Sequence, residues 1–379
     1  MKKICYVVTI PLTIKSFFIP QLKYLAENGI AVSVICTDDG NIKNELGTNI
    51  NYIPLNIPRG ISFRQSFRVI IELKRIFLKE QFDLIQYSTP NAAFYASIAA
   101  RIARCKIRNY HLMGFRYVGA SGIKSKILKV FEKITCNNST DIECVSDSNK
   151  KFGIKEKLFL PGKATVVWNG SSGGVDIERF NYDKRKIWRK QIRSELGYGE
   201  EDFVYGFVGR ITRDKGINEL LEAFFRMDNN SKLLLIGPFE GENTLNQELL
   251  KKAKNNESIL FHSSVREIEK YYAAIDVLVL PSYREGFGNV VIEAGAVGTP
   301  AIVSNIPGPI DAIDNNNTAL TVKVCDSEDL MKKMQKIKEI NYKLMGENAE
   351  KYSREKFDSR VLSRKIYERK MYLLKRIEL

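Results

Sequence analysis

Two glutamates close to a pair of glycines are the residues whose spacing first suggests chemistry. Residues 281–300 read PSYREGFGNVVIEAGAVGTP, and Glu285 and Glu293 stand eight residues apart within this stretch. Each carboxylate can accept charge-assisted hydrogen bonds from the vicinal hydroxyl groups of a sugar. Because the two glutamates flank a predicted strand-to-helix turn, we expect them to contact different parts of one polar ligand. Either residue taken alone could equally be an ordinary surface glutamate.

The glycines of this stretch favour a close approach of the backbone to that ligand. The run VLVLPS predicts a buried strand, and NVVIEAGAV predicts a helix that starts near residue 289. Glycine lets the main chain pass close to a ligand, while the free N–H groups and the dipole of a helix start attract negative or polar groups. The backbone donors predicted at this turn belong to Gly286, Phe287, Gly288 and Asn289.

A second glycine-containing stretch supplies positive charge. Residues 206–216 read GFVGRITRDKG, so Arg210 and Lys215 lie at or just past the end of a predicted strand, where Gly209 permits a close approach, and precede a predicted helix. Two cations at this spacing can hold a diphosphate. The stretch matches neither the dinucleotide-binding fingerprint nor the P-loop, and the alternative is that both cations are ordinary surface charges.

The elements that must position these residues are short apolar runs that alternate with amphipathic helical patterns. The predicted strands of a first block are 3–9, 31–36, 82–88, 108–113, 141–146 and 164–168, and those of a second block are 202–211, 232–238, 258–264, 276–282, 299–304 and 320–324. The charged stretch YDKRKIWRKQIRSELG between the blocks is predicted to be a linker or a surface helix. Such alternation predicts an α/β protein with two Rossmann-like parallel-sheet domains that face a cleft, with ligands at the carboxyl ends of the strands.

Composition and net charge limit which partners, metal sites and cellular locations are expected for the chain. The chain has 379 residues and a net charge of +15, of which +13 falls in residues 1–170, where 25 Lys and Arg face 12 Asp and Glu. This excess predicts an anionic partner for the first half: a membrane surface, a phosphorylated substrate or nucleic acid. Two histidines and six scattered cysteines leave little material for a metal site. The start does not resemble a secretory signal, and no stretch reaches 18 apolar residues, so we expect a cytoplasmic protein.

Together, the two glycine-containing stretches resemble the family-four retaining glycosyltransferases of the GT-B fold. The resemblance extends over essentially the whole chain, including QLKYLAENGIAVSVI, FDLIQYSTPNAAFYASIAARIA and the loop NGSSGGVD. It is greatest for the bacterial subgroup that builds capsule, O-antigen or lipid-linked glycans. The resemblance implies domains at 1–175 for the acceptor and 176–355 for the nucleotide sugar, and a C-terminal helix at 356–379 that crosses back to the first domain.

The resemblance also implies a role for each residue of the second domain. Arg210 and Lys215 would bind the donor diphosphate and offset the charge that develops on the leaving nucleotide. Glu285 would hold the donor sugar near its C3 and C4 hydroxyls, and Glu293 would bind the ribose. The base would lie near Val265 and Arg266. Members of the family usually need no divalent metal, so neither a metal nor another cofactor is expected.

For the first domain the resemblance implies acceptor binding. The acceptor residues predicted there are Thr13, Lys15, His111 and Arg116. Many members carry a histidine directly before the glycine of the segment YHLMGFRYVG, where this chain has Met113. His111 either substitutes for that histidine or is a core residue. Residues 122–134, GIKSKILKVFEKI, interleave lysines with apolar residues and predict a helix that lies at a membrane surface or packs on the sheet.

These expectations combine into one function and two alternatives. The chain is expected to transfer a sugar, an N-acetylated hexose, from a UDP-sugar to an undecaprenyl-diphosphate-linked saccharide in capsule or other surface polysaccharide synthesis. It would work as a hexosyltransferase, peripheral on the inner face of the cell membrane and without nucleic acid. The alternatives are a GT-B sugar-nucleotide epimerase and a non-enzymatic basic protein that binds membrane or nucleic acid.

Overall fold

The chain folds into two α/β units. The computed structural model describes residues 1–58, 60, 63–227 and 230–376. The first unit contains Met1–Gly174 and the segment that begins at Ser359, and the second contains Val175–Asp358. The sequence analysis places these boundaries after residues 175 and 355. Residues 377–379, the end of the predicted C-terminal segment, lie outside the described part of the chain.

The first unit is built on a seven-stranded parallel sheet in the order β3-β2-β1-β4-β5-β6-β7. Its strands are β1 Lys3–Val7, β2 Ala31–Cys36, β3 Ile50–Pro54, β4 Leu84–Tyr87, β5 Ile107–Leu112, β6 Asp141–Cys144 and β7 Ala164–Val166. Its helices are α1 Pro11–Phe17, α2 Ile19–Glu27, α3 Ile42–Leu46, α4 Phe63–Glu80, α5 Pro90–Ile102, α6 Gly122–Asn138 and α7 Asp147–Lys155. Apart from the exposed Lys3 at the start of β1, strands β1, β4 and β6 are buried, as expected for a parallel sheet covered on both faces.

The second unit is built on a six-stranded parallel sheet in the order β10-β9-β8-β11-β12-β13. Its strands are β8 Phe203–Val208, β9 Ser231–Ile236, β10 Ile259–His262, β11 Val277–Leu280, β12 Ala301–Ser304 and β13 Ala319–Val322. Its helices are α8 Arg185–Leu196, α9 Ile217–Phe225, α10 Gln247–Lys254, α11 Ile268–Ala274, α12 Asn289–Ala296, α13 Ser327–Glu339 and α14 Tyr342–Phe357. The two parallel sheets confirm the predicted α/β class.

The last helix, α15 Ser359–Lys375, packs in the first unit. Leu373 and Leu374 join the apolar cluster between the sheet and α2. On the same helix, Lys370 is fully buried and donates to the carboxylate of Glu143 on β6. The helix is therefore fixed to the sheet by both apolar contacts and an ion pair. Across the described residues, no helix combines the length and the apolar character that a membrane span requires.

Two local elements add detail that the sequence did not show. The stretch predicted as a linker or surface helix is a helix, α8, and most of its residues are exposed or half-buried, but its Arg193 is buried in an ion pair with Asp276, with 2.7 Å between Nη2 and Oδ2. Arginine is rarely buried without a charged partner, so a sequence alone predicts that its side chain is exposed. Strand β3 was not predicted, because its burial pattern is that of a partly exposed edge strand that ends in Pro54.

Candidate active site

The loops after β8 and β11 meet because these strands are neighbours in the sheet. Lys215 lies in the first loop and Glu285 in the second, and 2.5 Å separates Nζ from Oε1. The side chains are 17% and 13% exposed. The buried hydroxyl of Ser282 donates to the same carboxylate oxygen at 2.8 Å. Two residues that lie 70 positions apart in the sequence thus form one polar centre at the strand ends.

A glycine makes this contact possible. Gly216, which directly follows Lys215, has φ +73°, and a Cβ atom at this position would overlap the carbonyl oxygen of Pro281. The left-handed conformation and the lack of a side chain let the loop after β8 lie against the end of β11. The ammonium group of Lys215 therefore reaches the turn that carries Glu285.

A second ion pair joins the same two loops. Arg284 Nη2 and Asp214 Oδ2 are 2.7 Å apart, and the backbone N–H of Tyr283 donates to the Asp214 carbonyl. Burial alone would raise the pKa of Asp214, but the hydrogen bond from Thr212 and the charge of Arg284 lower it. Asp214 is therefore ionised at neutral pH. The sequence analysis did not select Asp214 or Arg284, although they directly precede Lys215 and Glu285.

Arg210 has a different partner from Lys215. Its guanidinium Nη1 lies 2.9 Å from a carboxylate oxygen of Glu240, and both side chains are exposed. Glu240 belongs to the loop after β9, which lies against the loop after β8 because Gly237 has φ +143° and leaves no room for a Cβ beside the Gly209 carbonyl. The amide of Gly209 donates to Ile236 at 2.9 Å. Arg210 and Lys215 thus have different acidic partners, Glu240 and Glu285.

The turn after β11 has the local structure that its sequence predicts. Gly288 has φ +93° and precedes α12, which begins at Asn289. The side chain of Phe287 is buried and packs edge-to-face on Phe357, with ring centroids 5.2 Å apart. Phe287 therefore anchors the turn through its ring. Gly286 and Asn289 have interactions of their own within the protein.

Glu293 lies on α12 and is oriented by a tyrosine. The hydroxyl of Tyr272, which is fully buried on α11, donates to Glu293 Oε2 at 3.0 Å. Burial raises the pKa of Glu293, whereas the Tyr272 hydrogen bond and the charge of Arg179 act to lower it. Glu293 is partly buried, and the Tyr272 hydroxyl holds one of its two carboxylate oxygens. Tyr272 was not predicted as a site residue, although it lies only seven positions after Val265.

The segment predicted to lie near the base connects β10 to α11. Val265 is partly buried and Arg266 is exposed. The backbone carbonyl of Arg266 accepts a hydrogen bond from Arg179 Nη2 at 3.1 Å. No motif in the sequence analysis pointed to Arg179, which lies in the stretch GGVDIERF.

The acceptor residues predicted in the first unit have different surroundings and different partners. Lys15 is held between Asp39 and Glu45, at 2.8 Å and 2.7 Å, and these hydrogen bonds raise its pKa. Its charge is therefore balanced by two carboxylates. Thr13 is buried in α1, and Arg116 donates to the side-chain oxygen of Asn91 at 2.9 Å.

His111 is buried on β5 beside Phe18, with ring centroids 5.4 Å apart. Burial lowers its pKa to about 4, with Glu143 acting to raise it and Lys370 to lower it. Neither ring nitrogen has a hydrogen-bond partner in the structure. The imidazole is thus neutral near pH 7, and its surroundings are those of a core residue. Within the described residues, no group of three His, Cys, Asp or Glu side chains has the arrangement of a metal site.

Comparison with known families agrees with this arrangement in both units. Residues 21–179 match the family described as Glycosyltransferase Family 4, and residues 189–356 match the family described as Glycosyl transferases group 1. The second match contains every residue of the Lys215–Glu285 centre.

Two relatives align over most of the chain. The capsular polysaccharide biosynthesis glycosyltransferase CapM of Staphylococcus aureus is 31% identical over 347 residues, which cover 90% of each chain. The UDP-Gal:alpha-D-GlcNAc-diphosphoundecaprenol alpha-1,3-galactosyltransferase of Escherichia coli is 25% identical and covers 87% of this chain and 86% of its own.

A solved structure has the same fold. The Anabaena protein Alr3699/HepE in complex with UDP-glucose superposes with a TM-score of 0.78 at 18% identity, covering 98% of this chain and 100% of its own. With the family matches and the similarity to CapM, this confirms the resemblance found in the sequence. The chain belongs to the family-four glycosyltransferases of the GT-B fold.

Proposed function

We propose that this chain transfers a hexose, N-acetylated and with its anomeric configuration retained, from a UDP-sugar to an undecaprenyl-diphosphate-linked saccharide. In this reaction the bond between the anomeric carbon and the β-phosphate oxygen breaks, and UDP leaves with the electron pair. An acceptor hydroxyl oxygen bonds to the same face of that carbon, and its proton passes to the departing phosphate oxygen. The protein needs only to hold the donor and stabilise the charge on the leaving UDP.

The pairing of Lys215 with Glu285 is the observation that carries the proposal. A lysine and a carboxylate in contact at the ends of β8 and β11 are the complements of a diphosphate and of sugar hydroxyls. On donor binding, the ammonium would exchange the carboxylate for phosphate oxygens, and Glu285 would turn to the hydroxyl groups. Arg210, whose present partner Glu240 is exposed, would add a second positive charge at the diphosphate.

The remaining residues of the second unit fit the nucleoside. Glu293 keeps one carboxylate oxygen on Tyr272, so its other oxygen is oriented for ribose hydroxyls. Val265 and Arg266 would contact the base, and the amides of residues 286–289 would donate to the sugar or the phosphates. The choice of UDP is supported by the ligand of the Anabaena protein and by the donor in the name of the Escherichia coli relative. That relative's name also supports a diphosphoundecaprenol acceptor.

Calorimetry with a panel of nucleotides tests the donor site first. UDP, ADP, GDP and their sugars are titrated into the protein with and without EDTA. Selective binding of UDP, unchanged by EDTA, is the expected result. The best-binding UDP-sugar is then incubated with an undecaprenyl-diphosphate saccharide, and the anomeric coupling in the product gives the stereochemistry. Folded protein that binds no nucleotide would contradict the proposal. Conversion of the UDP-sugar without an acceptor would favour the epimerase.

Contact with a membrane surface is supported by α6. Ile123, Ile127 and Val130 are 76%, 41% and 56% exposed. Their spacing of four and three residues places them on one face of the helix. Leu128 on the opposite side is buried, and Phe131 stacks on a ring of α5 with centroids 4.2 Å apart.

Two exposed lysines of α6 lie next to its exposed apolar face. Lys124 and Lys126 are exposed beside the apolar face, whereas Lys129 is paired with Glu156 at 2.6 Å. An exposed apolar stripe with lysines beside it fits the interface of a bilayer with anionic lipids. We assign membrane docking to this outer face of α6, and not to the whole of the predicted segment 122–134.

Liposome flotation tests this docking. Vesicles with and without anionic phosphatidylglycerol are mixed with the wild type and with a variant carrying Ile123→Ser, Ile127→Ser and Lys126→Glu. The variant is expected to float less, and the wild type to require the anionic lipid. Ile187 on α8 is also exposed, at 69%, and stands between Lys186 and Lys190, so Ile187→Ser with Lys190→Glu is the matched control. Equal flotation of all three proteins would contradict the assignment, and binding of nucleic acid in the same salt would favour the basic-protein alternative.

A further inference from the structure

Arg179 connects several segments of the second unit, and the proposed donor-binding site gives it no role. Its guanidinium contacts Glu269 Oε2 twice, with Nε at 3.0 Å and Nη2 at 2.9 Å. The same Nη2 donates to the carbonyl of Arg266 at 3.1 Å. A residue near the start of the unit thereby holds both the segment between β10 and α11, at Arg266, and the first turn of α11, at Glu269, 87 and 90 positions further along the chain.

The loop that carries Arg179 is itself fixed. The side chain of Asp176 accepts hydrogen bonds from the backbone N–H groups of Glu178 and Arg179, at 3.0 Å and 3.2 Å. The backbone N–H of Phe180 donates to the Asp176 carbonyl at 2.8 Å. The guanidinium also lies over the ring of Phe180, 5.1 Å from its centroid. Because its backbone and one face are fixed, Arg179 is presented to Glu269 in a single orientation.

Phe180 connects this contact to Glu293. Its buried ring packs on Tyr272 with centroids 6.2 Å apart, and the Tyr272 hydroxyl donates to Glu293. The charge of Arg179 also acts on the Glu293 carboxylate, where it opposes the effect of burial on the pKa. Both segments assigned to the nucleoside, the one near the base and the one near the ribose, therefore depend on Arg179.

We propose that Arg179 is a positioning residue for the nucleoside: it sets the distance between the Val265–Arg266 segment and Glu293 and thereby determines affinity and selectivity for uridine. It does not contact the reacting atoms. The two contacts with Glu269 Oε2 and the bond to the Arg266 carbonyl come from Nε and Nη2 of one planar guanidinium, which the single ammonium of a lysine cannot reproduce. This inference rests on the proposed function, since it concerns the nucleotide of the same donor.

The test compares nucleotide binding by wild type, Arg179→Met and Arg179→Lys. Both variants are expected to bind UDP at least about tenfold more weakly, the scale of losing hydrogen bonds to a charged group. The ratio of UDP affinity to ADP affinity is also expected to fall, because the contacts that select uridine are disturbed. With donor and acceptor, KM for the UDP-sugar should rise by a similar factor while kcat changes by less than about twofold.

A matched control separates positioning from general stability. Arg354 on α14 pairs with Glu350 in nearly the same exposure, 47% and 12% against 46% and 10% for Arg179 and Glu269. Arg354→Met is expected to keep wild-type UDP affinity and selectivity.

The outcomes distinguish this inference from the proposed function. Wild-type UDP affinity and selectivity in the Arg179 variants would overturn the positioning role, whereas failure of the wild type to bind UDP would overturn the proposed function itself. If Arg179→Met does not fold, Arg179→Lys decides by the same criteria. A uniform loss of kcat with unchanged KM would also contradict a positioning role toward the nucleoside.

Discussion

Two lysine–glutamate ion pairs, one in each unit, differ in burial and therefore in how readily they can exchange partners. Lys370 and Glu143 are 2.6 Å apart with side chains 0% and 3% exposed, and Lys370 also donates to Gln86. Lys215 and Glu285 are 2.5 Å apart but partly exposed at strand ends. The first pair cannot exchange partners without unpacking α15. The second pair lies in a glycine turn, where a ligand can displace either partner.

The difference is also electrostatic. Burial lowers the pKa of Lys370 by disfavouring its charge. Burial alone would raise the pKa of Glu143, but the nearby charge of Lys370 lowers it. Each ion of the buried pair is thus kept charged by the other, and removing one leaves an uncompensated charge. The pair at the strand ends has solvent nearby, so loss of one partner costs far less stability.

The largest expected effect is that of breaking the buried pair. Lys370→Met should destabilise the first unit by about 3–5 kcal/mol, because Glu143 is left buried without its counter-ion. Urea unfolding is followed by the fluorescence of Trp168, in a Trp188→Phe background that removes the chain's other tryptophan. Adding Glu143→Gln to Lys370→Met should recover part of the loss. A cost below about 1 kcal/mol for Lys370→Met would show that the two pairs do not differ as the burial indicates.

Breaking the pair at the strand ends should instead affect the reaction. Glu285→Gln is expected to lower turnover by about 10²–10³, the usual loss when one group that stabilises a transition state is removed, with UDP binding partly kept. Its free energy of unfolding should fall by less than that of Lys370→Met, since Lys215 and Glu285 are 17% and 13% exposed, against 0% and 3% for the buried pair. Initial rates and urea unfolding are measured on the same preparation, with Glu350→Gln as the control glutamate. Wild-type turnover would remove Glu285 from the proposed site.

A third effect follows from His111, which lies beside the buried pair. The folded-state pKa of about 4 is below the usual 6.5. As pH falls below 6.5, the unfolded chain takes up a proton that the folded chain cannot, so stability is lost down to about pH 4. The loss is on the order of 3 kcal/mol, at 1.36 kcal/mol per pKa unit.

Replacing the His111 imidazole should remove the loss of folding stability at low pH that His111 causes. Unfolding free energies of wild type and His111→Gln are compared at pH 7 and pH 4.5, and the variant should lose less stability between them. His262→Gln is the control, because His262 is partly exposed at the end of β10. Equal pH dependence in wild type and His111→Gln would mean that the imidazole is accessible to protons, as an acceptor-binding histidine would be.

The sequence allows prediction of both residues of the pair at the strand ends, although not of their contact, but of neither residue of the buried pair. Lys215 and Glu285 each lie beside glycines at the end of an apolar run, and such local patterns place residues at the ligand edge of a parallel sheet. Lys370 lies on a basic helix among other charges. Nothing local distinguishes it from its exposed neighbours, because its burial depends on Glu143, 227 positions earlier.

The same limit explains the other residues that were missed. Arg179, Arg193 and Tyr272 act through partners 21 to 90 positions away. Their function depends on tertiary contacts that no spacing rule contains. His111 was considered for the acceptor because of its place in the motif, and only the packing of Phe18 shows that it lies in the core.

The smallest expected effect concerns the pair of Arg210 with Glu240, which is more exposed than either lysine pair. Because water and salt screen such a pair, Glu240→Gln should change the free energy of unfolding by less than about 1 kcal/mol. UDP affinity should nevertheless rise by a small factor, since Arg210 no longer has to exchange a carboxylate for phosphate and one negative charge near the diphosphate is gone. Raising the salt concentration should reduce the gain. Weaker UDP binding in Glu240→Gln would mean that Glu240 orients Arg210 toward the diphosphate, which would make this exposed pair part of the site instead of a competitor for it.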